Sequence, residues 1–406
     1  MDLNALDIAS MAGHIMLENG AEISRVEEVM ERIASSFGAD SRKFFVLSNG
    51  IFTTGKGYAN VEFIPIHGSQ LDKVIEVNQM SRDIEAGMYT IEEAYEKLKQ
   101  IKGIPPHPVW EQLLGSALGS AAFCAIFGGG LADCALSLVS GVLLWIFVLY
   151  VSMPCFSKVT GNIVGGILVT IFSIVCYNFG IGHLDNILIG AIIPLIPGVA
   201  FTNGIRDLGA EDYIAGATRM LDALMVFLCI AVGVCITFLI DSHIEGYMIQ
   251  LKGTLIDPIT ATWPIQIISA FVGTAAFGVL YGVPRKYYVP CAVCGTAGWI
   301  VYLAMLRYAG TSTVESALFA TMTVVISAYF YAFRLGCPVI VFLICGIFPL
   351  VPGAGIFWTS YNIVSDHLTA ALASGFEAVK LTFSIVFGII IITEMRRQIF
   401  KRKKTK

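Results

Sequence analysis

Pro194-Leu195-Ile196-Pro197-Gly198-Val199 returns 155 positions later as Pro349-Leu350-Val351-Pro352-Gly353-Ala354, both times inside a strongly apolar stretch. Proline has no backbone donor and collides with the carbonyl four residues back, so two prolines three apart must interrupt a helix. Inside a bilayer, broken helix is tolerated only where protein or a water-filled cavity satisfies the freed backbone groups. Matching interruptions in two halves of a chain point to the solute site of a secondary transporter.

The composition agrees with a membrane setting. Of 406 residues, 56% are hydrophobic and 14% charged, with mean hydropathy +0.75; soluble domains carry about 25% charged residues. Residues 1–110 hold 16 of the 30 acidic and 10 of the 26 basic groups, and the remainder of the chain is slightly basic and far more apolar. This asymmetry predicts two environments, a soluble N-terminal part and a membrane part. Met1 to Ala9 shows no secretory signal. The ten cysteines lie mostly in apolar spans. The Cys291/Cys294 pair is therefore read as small packing residues rather than a redox or metal centre.

Apolar stretches near the twenty or so residues needed to cross about 30 Å of hydrocarbon number ten: 113–131, 134–152, 163–180, 186–203, 217–240, 264–282, 288–306, 315–333, 338–357 and 376–394. With the N-terminus inside, the inner connections carry Lys158, Arg206, Arg219, Arg285, Lys286 and Arg334 plus the basic tail from Arg396 to Lys406. The outer ones carry only Lys252, Arg307 and Lys380, so the positive-inside rule places both termini in the cytoplasm. Ala122-Phe123 to Gly141 aligns with Ala276-Phe277 to Gly295 at an offset of 154. Each half then has five spans, and an odd number inverts the second copy relative to the first.

The expected fold is a membrane α-helical protein. Ten transmembrane helices form two inverted five-helix repeats, 109–245 and 246–406, behind a small cytoplasmic α+β domain, 1–108. Within that domain, helices are expected at 6–19, 24–37, 71–85 and 91–102, with strands at 43–48, 51–54 and 61–66. Ser24…Glu27 and Thr90…Glu93 read as capping boxes, and Asn49-Gly50 as a hairpin turn. Three prolines in 103–108 make a linker.

In the breaks, newly exposed amides suit a carboxylate and freed carbonyls an ammonium group, so Pro194, Pro197, Gly198, Thr202, Asn203, Pro349, Pro352 and Gly353 are the expected substrate pathway. Arg206, Asp207, Arg219 and Asp222 follow the first break; Arg219 and Asp222 share a helix face and read as snorkelling groups, an inner gate or a proton-linked ion pair. Asp133, Asp185 and Glu315 are expected to be solvated, Trp110, Trp263 and Trp358 to anchor at the interface, and Gly115, Gly119, Gly161, Gly165 and Gly166 to pack helices closely. Glu22, Arg25, Glu27, Glu28, Glu31 and Arg32 alternate in sign at helical spacings and read as a solvated or salt-bridged helix face. His14, His67 and His107 are too scattered for a metal site, no cofactor is implied, and Gly55-Lys56-Gly57 lacks the spacing of a phosphate loop.

The run Gly13-His14-Ile15-Met16-Leu17-Glu18-Asn19-Gly20-Ala21-Glu22-Ile23-Ser24-Arg25-Val26-Glu27 resembles the opening signature of the bacterial threonine/serine exporter family. So does Ile193-Pro194-Leu195-Ile196-Pro197-Gly198 through Thr202-Asn203-Gly204-Ile205-Arg206-Asp207 to Arg219. The segment from Phe277 to Arg285 with the second break resembles the smaller partner of the family's split form, here fused. The resemblance implies an inner-membrane exporter of threonine, serine or related solutes driven by the proton motive force, with a functional role for Glu22, Arg25 and Glu27. Export of dicarboxylates such as succinate is the alternative it carries, and a membrane-anchored enzyme with a catalytic N-terminal domain is the alternative from another class. The expected partners are a small amino acid or carboxylate, protons and the bilayer, with a homo-oligomer left open and no nucleic acid.

Overall fold

Apolar length and proline position account for the architecture seen in a computed structural model, which describes residues 4–39, 44–55, 58–64, 68–245 and 262–404. Eight described helices are long and apolar enough to cross a bilayer: Val109–Ile126, Leu131–Cys155, Lys158–Asn178, Tyr213–Asp241, Trp263–Leu280, Arg285–Ala309, Thr313–Leu335 and Leu368–Gln398. Two further pairs, Leu184–Leu195 with Gly198–Gly209 and Val339–Leu350 with Gly353–Ile363, qualify together but bend by 65° and 52° at the Pro-Gly breaks. With each bent pair taken as one span the count is ten, and the bent pairs are spans four and nine in chain order. Lys252, with the rest of 246–261, and His67 and Lys406 lie outside the described residues.

The same local devices recur in both sets of five. Trp145 Nε1 donates to Gln112 at 3.2 Å, and Trp299 Nε1 donates to Gln266 at 2.9 Å, both partners displaced by 154 positions. Gly141 packs on Ser120 where Gly295 packs on Thr274. Spans two and seven both carry a π-helical turn at or near their ends, Val148–Ser152 and Met305–Ala309. Lys158 pairs with Asp222 as Thr313 pairs with Glu377. Glu211 and Asp366, 155 apart, are the two non-glycine residues with positive φ among those described, each turning the chain out of a broken span.

Close packing follows from the small residues. In lipid no hydrophobic drive brings helices together, so glycines that let backbones approach supply the contact. A Cβ on Gly115 would lie 3.1 Å from the Ala276 carbonyl, tying span one to span six, and one on Gly166 would lie 2.6 Å from the Ile230 carbonyl, tying span three to span five. Cys291 and Cys294 are buried among these helices as free thiols.

The N-terminal part runs in the expected order: α1 (Ala5–Glu18), α2 (Ile23–Ser36), β1 (Phe44–Leu47), β2 (Gly50–Gly55), β3 (Tyr58–Phe63), α3 (Leu71–Glu85) and α4 (Ile91–Lys102). The three strands pair antiparallel in sequence order. Three local expectations fail. Leu47 pairs directly with Gly50, so the two-residue turn is Ser48-Asn49, one position earlier than predicted. Glu22 takes the N-cap position of α2, and Ser24 lies inside the helix with no capping bond formed. Glu27 is drawn away by a tertiary partner, accepting from the Val46 amide at 3.2 Å. The Thr90–Glu93 box forms as expected.

Two membrane expectations also need correction. Asp133 is buried rather than solvated: its carboxylate accepts from the His183 amide at 2.7 Å, the Gly130 amide at 2.9 Å and Asn186 Nδ2 at 3.3 Å, pinning the turn into span four. Trp358 is no interface anchor; it is buried edge-on to Phe357 and Tyr361. Both residues sit near span ends in sequence, but the helix break and the turn fold them inward.

Replacing Gln266 by Leu should strip the buried Trp299 N–H of its partner, a loss of ~1–3 kcal/mol. Thermal unfolding in detergent should show a lowered midpoint, with Gln112→Leu behaving likewise at the equivalent pair; two unchanged midpoints would remove the structural role of both pairs.

Candidate functional site

The two breaks are built alike. Span four ends its first helix in a 3₁₀ turn at Ile193–Leu195, passes through extended Ile196 (φ −65°, ψ 127°), and restarts at Gly198 with Pro197 as N-cap. Span nine does the same with Phe348–Leu350, extended Val351 (φ −60°, ψ 128°) and a restart at Gly353. The freed carbonyls are handled locally: Ile193 O accepts from the Ile196 amide at 3.0 Å, and Phe348 O from the Val351 amide at 3.2 Å.

The breaks touch each other. A Cβ on Gly198 would lie 2.5 Å from the Phe348 ring, and one on Gly353 would lie 2.7 Å from Ile196 Cδ1. Each glycine is thus a seat for a hydrophobic side chain from the other break. Phe348 also stacks on Phe277 with centroids 3.7 Å apart and meets Phe123 edge-on at 5.3 Å. Phe123 and Phe277 are themselves repeat equivalents.

Among the described residues, the space between the breaks is apolar where a polar pocket is expected. A void of about 10 Å³ there is lined by Ile189, Ile192, Ile193, Ile196, Gly353, Ala354 and Phe357, at the lower edge of what holds one water. The aromatic seal follows from the local closure of the carbonyls, which removes the demand for a polar partner there. Polar atoms are also buried without a hydrogen-bond partner: the Tyr281 hydroxyl, which contacts Gly198, and, about one helical turn beyond each restart, Thr202 Oγ1 and Trp358 Nε1.

A second layer lies one to two turns beyond the first break, where the α1–α2 turn meets the end of span four. Gly20, at φ +85°, lets the chain reverse against Val199 and Ser69. Asn203 Nδ2 donates to Gly20 O at 2.7 Å, and Arg219 Nη2 donates to Ala21 O at 2.9 Å. Arg219 also holds Asp207 at 2.7 Å, and Arg206 pairs with Glu22 at 2.5 Å. Glu22, Asp207 and Arg219 are all buried. Charges this secluded persist only when paired and hydrogen-bonded.

This arrangement brings together Glu22, Asn203, Arg206, Asp207 and Arg219 from the expected set. Asp222 is separate: it faces away and pairs with Lys158 at the surface, so the expected Arg219–Asp222 association is replaced by Arg219–Asp207. Arg25 pairs with Glu28 outside this layer. Burial pushes the Glu27 carboxyl above the ordinary carboxylate range, with Asp212 and Glu31 adding to the shift and the Val46 amide opposing it.

The N-terminal part grips the second half too. The first amides of α3 donate to the chain after span six, Leu71 N to Tyr281 O at 3.0 Å and Asp72 N to Gly282 O at 2.9 Å. Gly282, at φ +66°, admits Gln70 where a Cβ would lie 3.0 Å from its Cα. Arg82 reaches Gly336 O at the end of span eight. Sequence reasoning missed this bridge and the aromatic seal; the seal's one legible trace is the 154-position repeat that matches Phe123 to Phe277.

Residues 7–240 match the family described as "Putative threonine/serine exporter", and residues 266–395 match "Threonine/Serine exporter, ThrE". Among relatives, a "Probable threonine/serine exporter" of Mycobacterium tuberculosis is 22% identical over 95% of this chain and 75% of its own length. The threonine/serine exporter of Corynebacterium glutamicum is 22% identical over 95% of this chain and 81% of its own. A "Probable succinate transporter subunit" of Klebsiella aerogenes is 24% identical over 54% of this chain and 87% of its own. No solved structure matches.

Arg219→Met should strand the buried Asp207 carboxylate and destabilise the protein by ~3–5 kcal/mol. Adding Asp207→Asn should recover most of that loss, and additive effects in a double-mutant cycle would break the assigned pair. For Glu27 the sign is opposite to a salt-bridged acid. With its folded pKa raised, the carboxyl binds its proton more readily in the folded state, so its contribution to stability falls as pH rises above about 4. Glu27→Gln should therefore unfold at a higher temperature than wild type near neutral pH and converge with it in acid; parallel curves would exclude the effect.

Proposed function

The chain belongs to the threonine/serine exporter family, and on that premise we propose that it exports threonine, serine or a close relative by alternating access around the paired breaks. The observation that carries this reading is the reciprocal seating of Phe348 on Gly198 and Ile196 on Gly353. Two interruptions that fill each other's glycine notch form one central closure. Sliding either break past the other uncovers two helix starts together.

The direction of the broken spans supports an inverted pair. Span four ends beneath the N-terminal turn, through Asn203 and Arg206, whereas span nine begins on that same face, just after Gly336 and its Arg82 contact. Span six also returns to that face, where Tyr281 and Gly282 receive α3. The half-helix starts at Gly198 and Gly353 therefore approach the closure from opposite sides. Their amides suit a carboxylate through the helix dipole, and the unpartnered Thr202, Tyr281 and Trp358 atoms suit the hydroxyl and ammonium groups of a small amino acid.

In this reading the conformation is closed. The aromatic seal bars the centre, and the Gly20–Glu22 turn with Arg206, Asp207 and Arg219 bars the face toward the N-terminal part. That face carries Lys158, Arg285 and Lys286, and this positive bias supports a cytoplasmic side for it and for both termini, in a bacterial inner membrane. Protons supply the drive, with Asp207 and Glu22 the carboxylates placed to couple. The partial match to a succinate transporter subunit favours a dicarboxylate as the second reading.

Counterflow in proteoliposomes with threonine, serine and succinate in competition tests the substrate. Labelled threonine should be exchanged by threonine and serine, and preferential exchange by succinate would favour the second reading. Pro194→Ala, Pro197→Ala, Pro349→Ala and Pro352→Ala should insert normally yet slow efflux by ~tenfold or more, a barrier increase of ~1.4 kcal/mol. Unchanged efflux in all four would remove the breaks from the pathway, and uphill export surviving collapse of the proton gradient would remove the coupling.

A further inference from the structure

The two helix restarts differ in what reaches them. At Gly198 the Tyr281 hydroxyl and the Phe348 ring share the notch, the ring edge 2.5 Å from where a Cβ would stand. At Gly353 the nearest neighbour is Ile196, and the void beside it is lined by isoleucines, Ala354 and Phe357. The residue 154 positions before Tyr281 is Phe127, which carries no hydroxyl.

The helix that restarts at Gly198 runs to Gly209, so its start carries the positive end of a dipole. Its first amides have no carbonyl one turn back within the helix. Gly198 N turns to Ile196 O at 2.8 Å and Phe201 N to Pro197 O at 3.0 Å, and Val199 and Ala200 hold the other donors of that turn. Tyr281 joins them from the end of span six: it is 8% exposed, and its hydroxyl has no hydrogen-bond partner. Buried polar groups are nearly always satisfied, so an orphan hydroxyl set against a helix start calls for a ligand atom. A phenol can accept as well as donate, but the positive helix end beside it repels a cation. Its role there is to donate.

Both walls of this notch are braced by the N-terminal part. Tyr281 O accepts from the Leu71 amide at 3.0 Å, and a Cβ on Gly20 would lie 3.3 Å from Val199. The remaining surroundings are aromatic: Phe277 and Phe348 both pack on the Tyr281 ring, and Phe123 packs on both of them. An anion entering so apolar a place sheds its water and needs several donors at once. We propose that the Gly198 restart and the Tyr281 hydroxyl form a carboxylate seat for the solute, with Phe348 as its plug. The carboxylate and the phenyl ring compete for one notch, so the seat is taken only as the seal parts. This inference rests on the transport reading above and sharpens it: the carboxylate belongs to the first break, whichever solute carries it, and the second break faces the rest of the molecule.

Equilibrium binding of labelled threonine, and in parallel of labelled succinate, to the full-length protein in detergent reads the seat. Threoninol, which keeps the amine and hydroxyl but has an alcohol in place of the carboxylate, serves as competitor. Threonine should compete ~tenfold better than threoninol. Tyr281→Phe should weaken threonine ~tenfold, a difference of ~1.4 kcal/mol, and leave threoninol where it was. The hydroxyl it removes has no partner in the fold, so the variant should keep the wild-type unfolding midpoint. Phe348→Leu, which shortens the plug but still fills the core, should raise the share of open seats and tighten threonine ~threefold. Equal weakening of threonine and threoninol by Tyr281→Phe, or no weakening of either, overturns the seat. If succinate binds in preference to threonine, the amino-acid reading fails while the seat stands, provided Tyr281→Phe weakens succinate by a similar factor; succinate binding indifferent to Tyr281→Phe overturns both, as does binding of neither label.

Discussion

Each proline break leaves a glycine notch, and each notch is filled by the hydrophobic residue of the opposite break. This mutual occupation requires Gly198 and Gly353 to lack a side chain, and Ile196 and Phe348 to point across the junction. Proline supplies the geometry: Pro197 and Pro352 begin new helices without needing a hydrogen bond to their own nitrogen, so the restart is abrupt. The residue before each is held extended, which swings its neighbours outward. Spans one and six then close around the junction through Phe123 and Phe277.

The two halves share a backbone plan but not its chemistry. Asn203, Arg206, Asp207 and Arg219 correspond, 155 positions on, to Trp358, Tyr361, Asn362 and Ser374. The first half therefore ends in a charged layer that receives the N-terminal turn. At the equivalent place in the second half, Trp358 and Tyr361 pack with Phe357 and Phe238 into an aromatic cluster. The corresponding ends of the two halves thus pack in different physical ways, one electrostatic and one apolar.

Much of this plan is written in local sequence. Eight to ten apolar spans, the break positions, the order of N-terminal elements and the helix limits of α3 and α4 follow from periodicity, apolar length and caps. Where the sequence misled, a long-range partner had outbid a local rule. Ser24 and Glu27 have capping spacing, yet Glu27 is taken by Val46 and the cap position falls to Glu22, which faces Arg206. Asp133 reads as a loop carboxylate until the turn before span four wraps its amides around it. Arg219 and Asp222 share a face in sequence, but Arg219 lies against Asp207 while Asp222 lies at the surface with Lys158. Such pairings are set by which helices meet, and a single chain's pattern holds little trace of that.

The charged layer has an energetic property suited to the gate proposed for it. Closing it buries Glu22, Asp207 and Arg219, a desolvation penalty of several kcal/mol per ion, offset by the two ion pairs and the bonds to Gly20 O and Ala21 O. Opening exchanges those partners for water, so the large terms largely cancel and the closed and open states need differ by only a few kcal/mol. An apolar seal in the same place would lack that compensation, because wetting it carries a penalty with nothing to offset it. Protonating one carboxylate of the layer would remove an ion pair and leave its arginine buried without a counter-charge, shifting the balance toward the hydrated, open arrangement. For the gate proposed above, sensitivity to protons would follow from the layer's being both buried and ionic.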